Sequence, residues 1–232
     1  MAIYKFSDDK LVEIETTTFV GEKILERKNL QTALKKNIKT ILPDCMVIAE
    51  EFSEWSGSQR RIDLLALEKN ANIVVIELKR TDTGEYMELQ AIRYASMVST
   101  LTYKRAVEIF QNYIYKNKFD INAEEKILEF LEWDEPQEED FAEDIRIVLV
   151  SADFSKELTT AVIWLNERNL DIKCIRLIPY KYNNEILVDI QQIIPLPEAE
   201  NYQVKIRQKT EEQREARKSN RDYTKYIFKN LE

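Results

Sequence analysis

The stretch Ile73-Val74-Val75-Ile76-Glu77-Leu78-Lys79 closes an apolar run with a carboxylate and an amine two residues apart. Side chains alternate faces along a strand. Glu77 and Lys79 are therefore expected to share a face with Ile73 and Val75. Ten residues upstream, in Arg61-Ile62-Asp63-Leu64-Leu65-Ala66-Leu67, Asp63 falls on the face of Leu65 and Leu67. Each acid thus sits on an otherwise apolar face. Burying a lone carboxylate costs several kcal/mol, and two on adjacent strands would also repel. A divalent cation relieves both penalties, because hard ions such as Mg²⁺ take oxygen ligands, commonly one or two carboxylates plus waters and phosphate oxygens. An adjacent lysine can orient or deprotonate a water and counter charge developing on a phosphate. The arrangement without chemistry is a Glu77–Lys79 ion pair at a strand end, with Asp63 capping a turn.

Other polar residues fall at positions where apolar ones are expected. Glu26, Leu30 and Leu34 follow one another at i+4, which would put Glu26 on the buried stripe of a helix. In the apolar segment after the third strand, Gln90 and Arg93 interrupt Leu89, Ala91, Ile92, Tyr94 and Ala95. A helix apolar all round is buried, so these two are expected to have partners, with Gln90 reaching the acids. Arg60, Arg61, Arg80 and Arg93 lie near these positions in sequence. They are either surface charges or phosphate contacts.

Composition narrows the chemistry further. The chain of 232 residues contains no histidine and two cysteines. Ser-His-Asp and Cys-His catalysis are excluded, as are zinc sites built on histidine or on cysteine alone. Cys45 and Cys174, far apart and beside apolar residues, read as reduced buried thiols of an intracellular, cytoplasmic protein. No apolar run approaches the roughly 18 to 20 residues of a membrane span. The net charge of −8 opposes nonspecific coating of nucleic acid. That charge is segregated: eleven acids between Glu124 and Asp144 face the single Lys126, whereas the stretch after Pro197 is rich in lysine and arginine.

The elements that must position these residues follow from periodicity. Helices are expected over Gly21 to Leu42, about Glu85 to Ser99, Tyr103 to Tyr115, Ala123 to Trp133 and Ser155 to Arg168. Strands are expected over Met46 to Phe52, Arg61 to Leu67, Asn72 to Lys79, Ile145 to Val150, Ile172 to Ile178 and Glu185 to Ile194. Short links make the first three an antiparallel meander. Strand, helix and strand from Ile145 to Ile178 make a parallel pair. An acidic loop at about 134–144, around Pro136, is expected to be mobile. Residues 1–196 read as one domain, and 197–232 as a charged C-terminal arm or the start of a further element. Its end, Leu231-Glu232, reads as a vector remnant of a chain that continues further.

Taken together, Glu26, Arg-Ile-Asp63, Ile-Glu77-Leu-Lys79 and Gln90-Ala-Ile-Arg-Tyr94 resemble the PD-(D/E)XK nuclease superfamily, in particular its RecB-like branch of DNA endonucleases. Ile62 stands where the family often has proline. The resemblance implies an α/β fold, a restriction-endonuclease-like mixed β-sheet flanked by helices. It also implies Mg²⁺ or Mn²⁺ as cofactor and DNA phosphodiester hydrolysis in repair or defence. By position, Asp63 and Glu77 would be metal ligands, Glu26 an accessory ligand, Lys79 the catalytic lysine and Gln90 the glutamine that follows it. Arg60, Arg61, Arg80 and Arg93 would contact DNA. Two outcomes are compatible with the motif. One is an active deoxyribonuclease, which as a homodimer would bring one site to each strand of a duplex. The other is a silent DNA-binding or scaffold domain on the same fold.

Overall fold

The structure, a computed structural model, describes residues 2–53, 61–81 and 86–197. The chain divides at Pro195, and the sheet and its helices belong to the part ending at Ile194. Arg60 and the arm from residue 198 onward, with its tyrosines and Phe228, lie outside the described residues.

Eight strands form one mixed sheet among the described residues. They are β1 (Ile3–Ser7), β2 (Lys10–Thr16), β3 (Cys45–Phe52), β4 (Ile62–Glu68), β5 (Ile73–Lys79), β6 (Ile145–Ser151), β7 (Asp171–Tyr182) and β8 (Glu185–Ile194). The order is β1-β2-β7-β6-β5-β4-β3, and β8 pairs with β7. β3, β4 and β5 form the expected antiparallel meander. β5, β6 and β7 run parallel to one another, so each step needs a crossover. Helices α2 (Met87–Val98), α3 (Tyr103–Asn117) and α4 (Ala123–Leu131) supply the first, and α5 (Lys156–Asn166) supplies the second.

β4 and β5 are buried along almost their whole length, which is why their sequences are continuously apolar instead of alternating. One core packs the sheet against Leu30, Leu34, Phe110, Ile114 and Ile127. A second joins Met87 and Ala91 to Ile147, Leu149, Leu158 and Val162. Thr102, Asn122 and Ser155 cap α3, α4 and α5 by accepting from the backbone N–H three residues on, as hydroxyl and amide side chains do at helix starts.

Two expectations, the unbroken helix from Gly21 to Leu42 and a helix buried all round after β5, are corrected, and one hairpin was not anticipated. The helix expected from Gly21 to Leu42 is broken. Lys23 takes a left-handed φ of 58°, a π-helical turn covers Glu26–Gln31, and a short α1 covers Thr32–Lys36 before a 3₁₀ turn at Ile38–Thr40. The side chain of Asn29 takes the N–H of Leu25 at 2.9 Å, and that of Asn37 takes the carbonyl of Ala33 at 3.0 Å, so both compete locally with regular helix. The polar N-terminus forms a hairpin, β1 with β2, turning at Asp8 and Asp9 with φ of 50° and 57°, the signature of a two-residue hairpin turn. In the acidic loop, Phe141 is buried edge-on against Tyr103 at 5.6 Å, and Glu138 accepts from the N–H of Tyr103. Finally, α2 is not buried all round. Leu89, Arg93 and Met97 are exposed, because only the Met87–Ala91–Tyr94–Val98 stripe meets the sheet.

Candidate active site

The site is assembled where β4 and β5 part. Their pairing is Leu67 with Ile73, Ala66 with Val74, Leu65 with Val75 and Leu64 with Ile76. One further step sets Asp63 opposite Glu77, with both side chains on one face, since directly paired residues in an antiparallel ladder project together. There the ladder ends, and the carboxylate of Asp63 takes its place by accepting from the N–H of Leu78 at 2.8 Å. Both acids are buried, Glu77 completely. Lys79 Nζ donates to Glu77 Oε1 at 2.8 Å. Among the described residues, Glu77 Oε2 is buried with no hydrogen-bond partner. The Glu77–Lys79 ion pair, which the sequence offered as the arrangement without chemistry, is present, and it leaves half of the glutamate unsatisfied among the described residues.

Glu26, at the start of the π-helical turn, accepts from the N–H of Arg80 through Oε2 at 2.9 Å. This ties the turn to the end of β5, and the charge of Glu26 is felt by Asp63, Glu77 and Lys79. Burial pushes the carboxyl of Asp63 up to about 6, against the bond from Leu78 and the charge of Lys79. Burial, then the neighbouring Asp63, pushes Glu77 up to about 8. Burial alone would lower Lys79, but the charge and hydrogen bond of Glu77 outweigh it and leave its pKa raised. Lys79 is thus harder to deprotonate, and the two acids beside it harder to ionise, than the same groups in water. Raised acids and one cation describe a site short of positive charge.

Two groups that sequence reasoning missed also belong here. Glu51 falls between the pairs Glu50–Leu64 and Phe52–Ile62 of the β3–β4 ladder, hence opposite Asp63. Its backbone is left-handed at φ 48°, its carboxylate lies 3.2 Å from Arg27 Nε, and its charge raises Asp63. An acid ending an apolar run, as Glu77 does on β5, was the signal available. Gln31 is 3% exposed and donates from Nε2 to the carbonyl of Asp63 at 2.9 Å. A regular helix would have turned it elsewhere, and only the π-helical turn brings it inward.

The remaining sequence candidates spread out. Gln90 donates to the hydroxyl of Tyr94 at 3.1 Å and Arg93 is exposed on α2. Arg61 is exposed and lines a hollow with Glu51, Tyr113 and Lys116 on the β3 side. Arg80 borders a separate cleft toward β7. Among the described residues, no three Asp, Glu or Cys side chains come together as a group able to hold a metal ion. The donor set at the strand ends is the pair Asp63 and Glu77. Two carboxylates, one with a buried free oxygen, fit a hard divalent ion that keeps part of its water shell.

No family model and no curated protein matches this chain. Two solved structures show distant likeness, both at 18% identity. One is an EndoMS–dsDNA complex, with a TM-score of 0.36 over 63% of this chain and 43% of that one. The other is a repair endonuclease from Pyrococcus abyssi, with a TM-score of 0.35 over 62% of this chain and 43% of that one. The chain spans under half the length of either. Among the described residues, no helix is long and apolar enough to cross a membrane.

Proposed function

We propose that this protein is a Mg²⁺- or Mn²⁺-dependent deoxyribonuclease of PD-(D/E)XK type that cuts DNA phosphodiester bonds in repair or defence. The observation carrying this reading is the buried Asp63–Glu77 pair with the unpartnered Glu77 Oε2. Two buried carboxylates side by side are costly, and Lys79 bonds only Glu77 Oε1, which leaves room for a second cation between the acids. Asp63 and Glu77 would hold the ion, with Glu26 as an accessory acid fixing the chain at Arg80. When bound, the ion would polarise a phosphoryl oxygen and acidify a water.

The chain's own residues do the rest. Leu78 N–H fixes the Asp63 carboxylate, and Gln31 fixes its backbone. Lys79, 26% exposed at its side chain, reaches solvent from the strand end. There it would orient the attacking water and balance charge on the phosphate as it becomes pentacoordinate. Such a contact acts more on the transition state than on the bound substrate. Gln90, Arg61, Arg80 and Arg93 would steer the strand.

One observation favours a second reading, a silent DNA-binding or scaffold domain on this fold: three acids do not gather on one point among the described residues. Incubating the parent and Asp63→Asn with Mn²⁺ and a panel of duplex, single-stranded, flapped and mismatched DNAs separates the two. Cutting by the parent and not by the variant supports the nuclease. Binding without cutting by either supports the silent domain.

A further inference from the structure

Beyond Lys79 the chain enters a cleft of about 400 Å³ to which the catalytic residues do not contribute. Arg80 and Thr81 form its near rim, and Arg176 on β7 its far side. Val20, Ile178 and Pro179 give it an apolar wall. Arg176 is incompletely satisfied: Nη2 donates to Gln191 Oε1 at 2.9 Å, Nη1 lies 3.4 Å from Asp153 Oδ1, and the buried Nε has no partner. Among the described residues, the guanidinium of Arg80 makes one long bond, 3.4 Å to the carbonyl of Ile24, and no carboxylate forms an ion pair with it.

We infer that this cleft binds the sugar–phosphate unit of DNA next to the one being cut, with Arg176 and Arg80 on the phosphate and the apolar wall against the deoxyribose. The inference rests on the nuclease reading and adds to it the direction in which the strand leaves the site, toward β7. Guanidinium groups match phosphate oxygens in planar, bidentate fashion. The rim begins one residue past Lys79, roughly 3.3 Å along the strand, so a phosphate in the cleft would be near the scissile one. A bare anion would not need the apolar wall, whereas a sugar would cover it. Asp153, more than half exposed, holds Arg176 only loosely and can yield it to a phosphate.

The test is binding of a fluorescein-labelled, branched DNA duplex in Ca²⁺, followed by anisotropy between about 50 and 200 mM salt. It compares the full-length parent, Arg176→Gln, Arg80→Gln and a remote control, Arg105→Ala, which removes an exposed charge paired with Glu108. Thermal melts establish that each variant is folded, and Arg176→Lys keeps the charge without the fork should Arg176→Gln be poorly folded. The expected result is about tenfold weaker binding by Arg176→Gln, a salt slope shallower by roughly one, a smaller loss for Arg176→Lys and no change for Arg105→Ala. If the parent binds and the Arg176 and Arg80 variants match Arg105→Ala, the cleft assignment is wrong and the nuclease reading stands. If the parent itself fails to bind at the lowest salt, both fall together.

Discussion

At the scale of single residues, the unusual expense of this molecule is one buried aspartate beside one buried glutamate. Their folded-state pKa values lie above the ordinary 3.8 and 4.5, at about 6 and about 8. The native state therefore binds more protons than the unfolded chain between these limits. Stability is fully present below about pH 4 as far as these groups are concerned, and it falls as pH rises toward 8. The metal-free protein in EDTA should melt at lower temperature at pH 8 than at pH 5. Glu77→Gln should flatten that dependence and raise the pH 8 melting temperature by several degrees, at ~2–4 °C per kcal/mol for a chain of this size. Mn²⁺ should stabilise the parent more at pH 8 than at pH 5, because protons compete for the same oxygens. Calorimetric melts across pH, with and without the ion, check all three. An unchanged pH profile in Glu77→Gln would show that Glu77 is not the group carrying the extra proton.

At the scale of elements, the strands were legible and the connections less so. A short, β-branched apolar run such as Ile73 to Ile76 reads as a buried strand, and β8 matches its expected span from Glu185 to Ile194. The N-terminal hairpin was missed because Tyr4, Phe6, Leu11 and Val12 are exposed in it, so its pattern of polar and apolar residues carries no buried face. The break after Gly21 was missed because side-chain competition by Asn29 and Asn37 does not alter the apolar spacing. The acid–lysine end of β5 was readable from two-residue alternation, whereas Glu51 and Gln31 depend on a left-handed residue and a π-helical turn. The opposite end of the sheet offers a contrast. There Arg146 on β6 bridges Glu68 on β4 and Asp171 on β7. Arg146→Met should strip the buried Glu68 of its ion-pair partner, at a cost of about 3 kcal/mol, and lower the melting temperature accordingly. It should leave metal binding intact, since it acts at the other end of the strands. Isothermal titration with Mn²⁺ beside a melting curve would expose any coupling between the ends.

At the scale of the whole molecule, the proposed binding of DNA must coexist with a net charge of −8. The acidic loop is held at the far end of β5 from Lys79: the N–H of Ala142 bonds to the carbonyl of Ala71, and that of Asp144 to the side chain of Asn72. The length of β5, seven residues, separates these anchors from the candidate site. That is roughly 20 Å, more than two Debye lengths of about 8 Å at physiological salt. Affinity for DNA should fall steeply with added salt, and substitutions that remove charge from the acidic loop, such as Glu139→Gln with Asp140→Asn, should leave it nearly unchanged. A large gain in affinity from such substitutions would mean that the loop faces the substrate. Double-strand cutting would call for a homodimer, and light scattering at micromolar concentration with and without DNA would reveal one as a doubling of mass.

Lys79 is assigned to work beside the Asp63–Glu77 pair on a phosphodiester, and the proposed activity stands or falls with that role. Single-turnover cleavage by Lys79→Ala in Mn²⁺, on a DNA the parent cuts, tests it most directly. Losing one such electrostatic contact costs about 10²- to 10³-fold in rate. The expected result is a loss of that size, with DNA binding and the Mn²⁺-induced rise in melting temperature retained. A Lys79→Ala protein that cuts as fast as the parent would contradict the assignment.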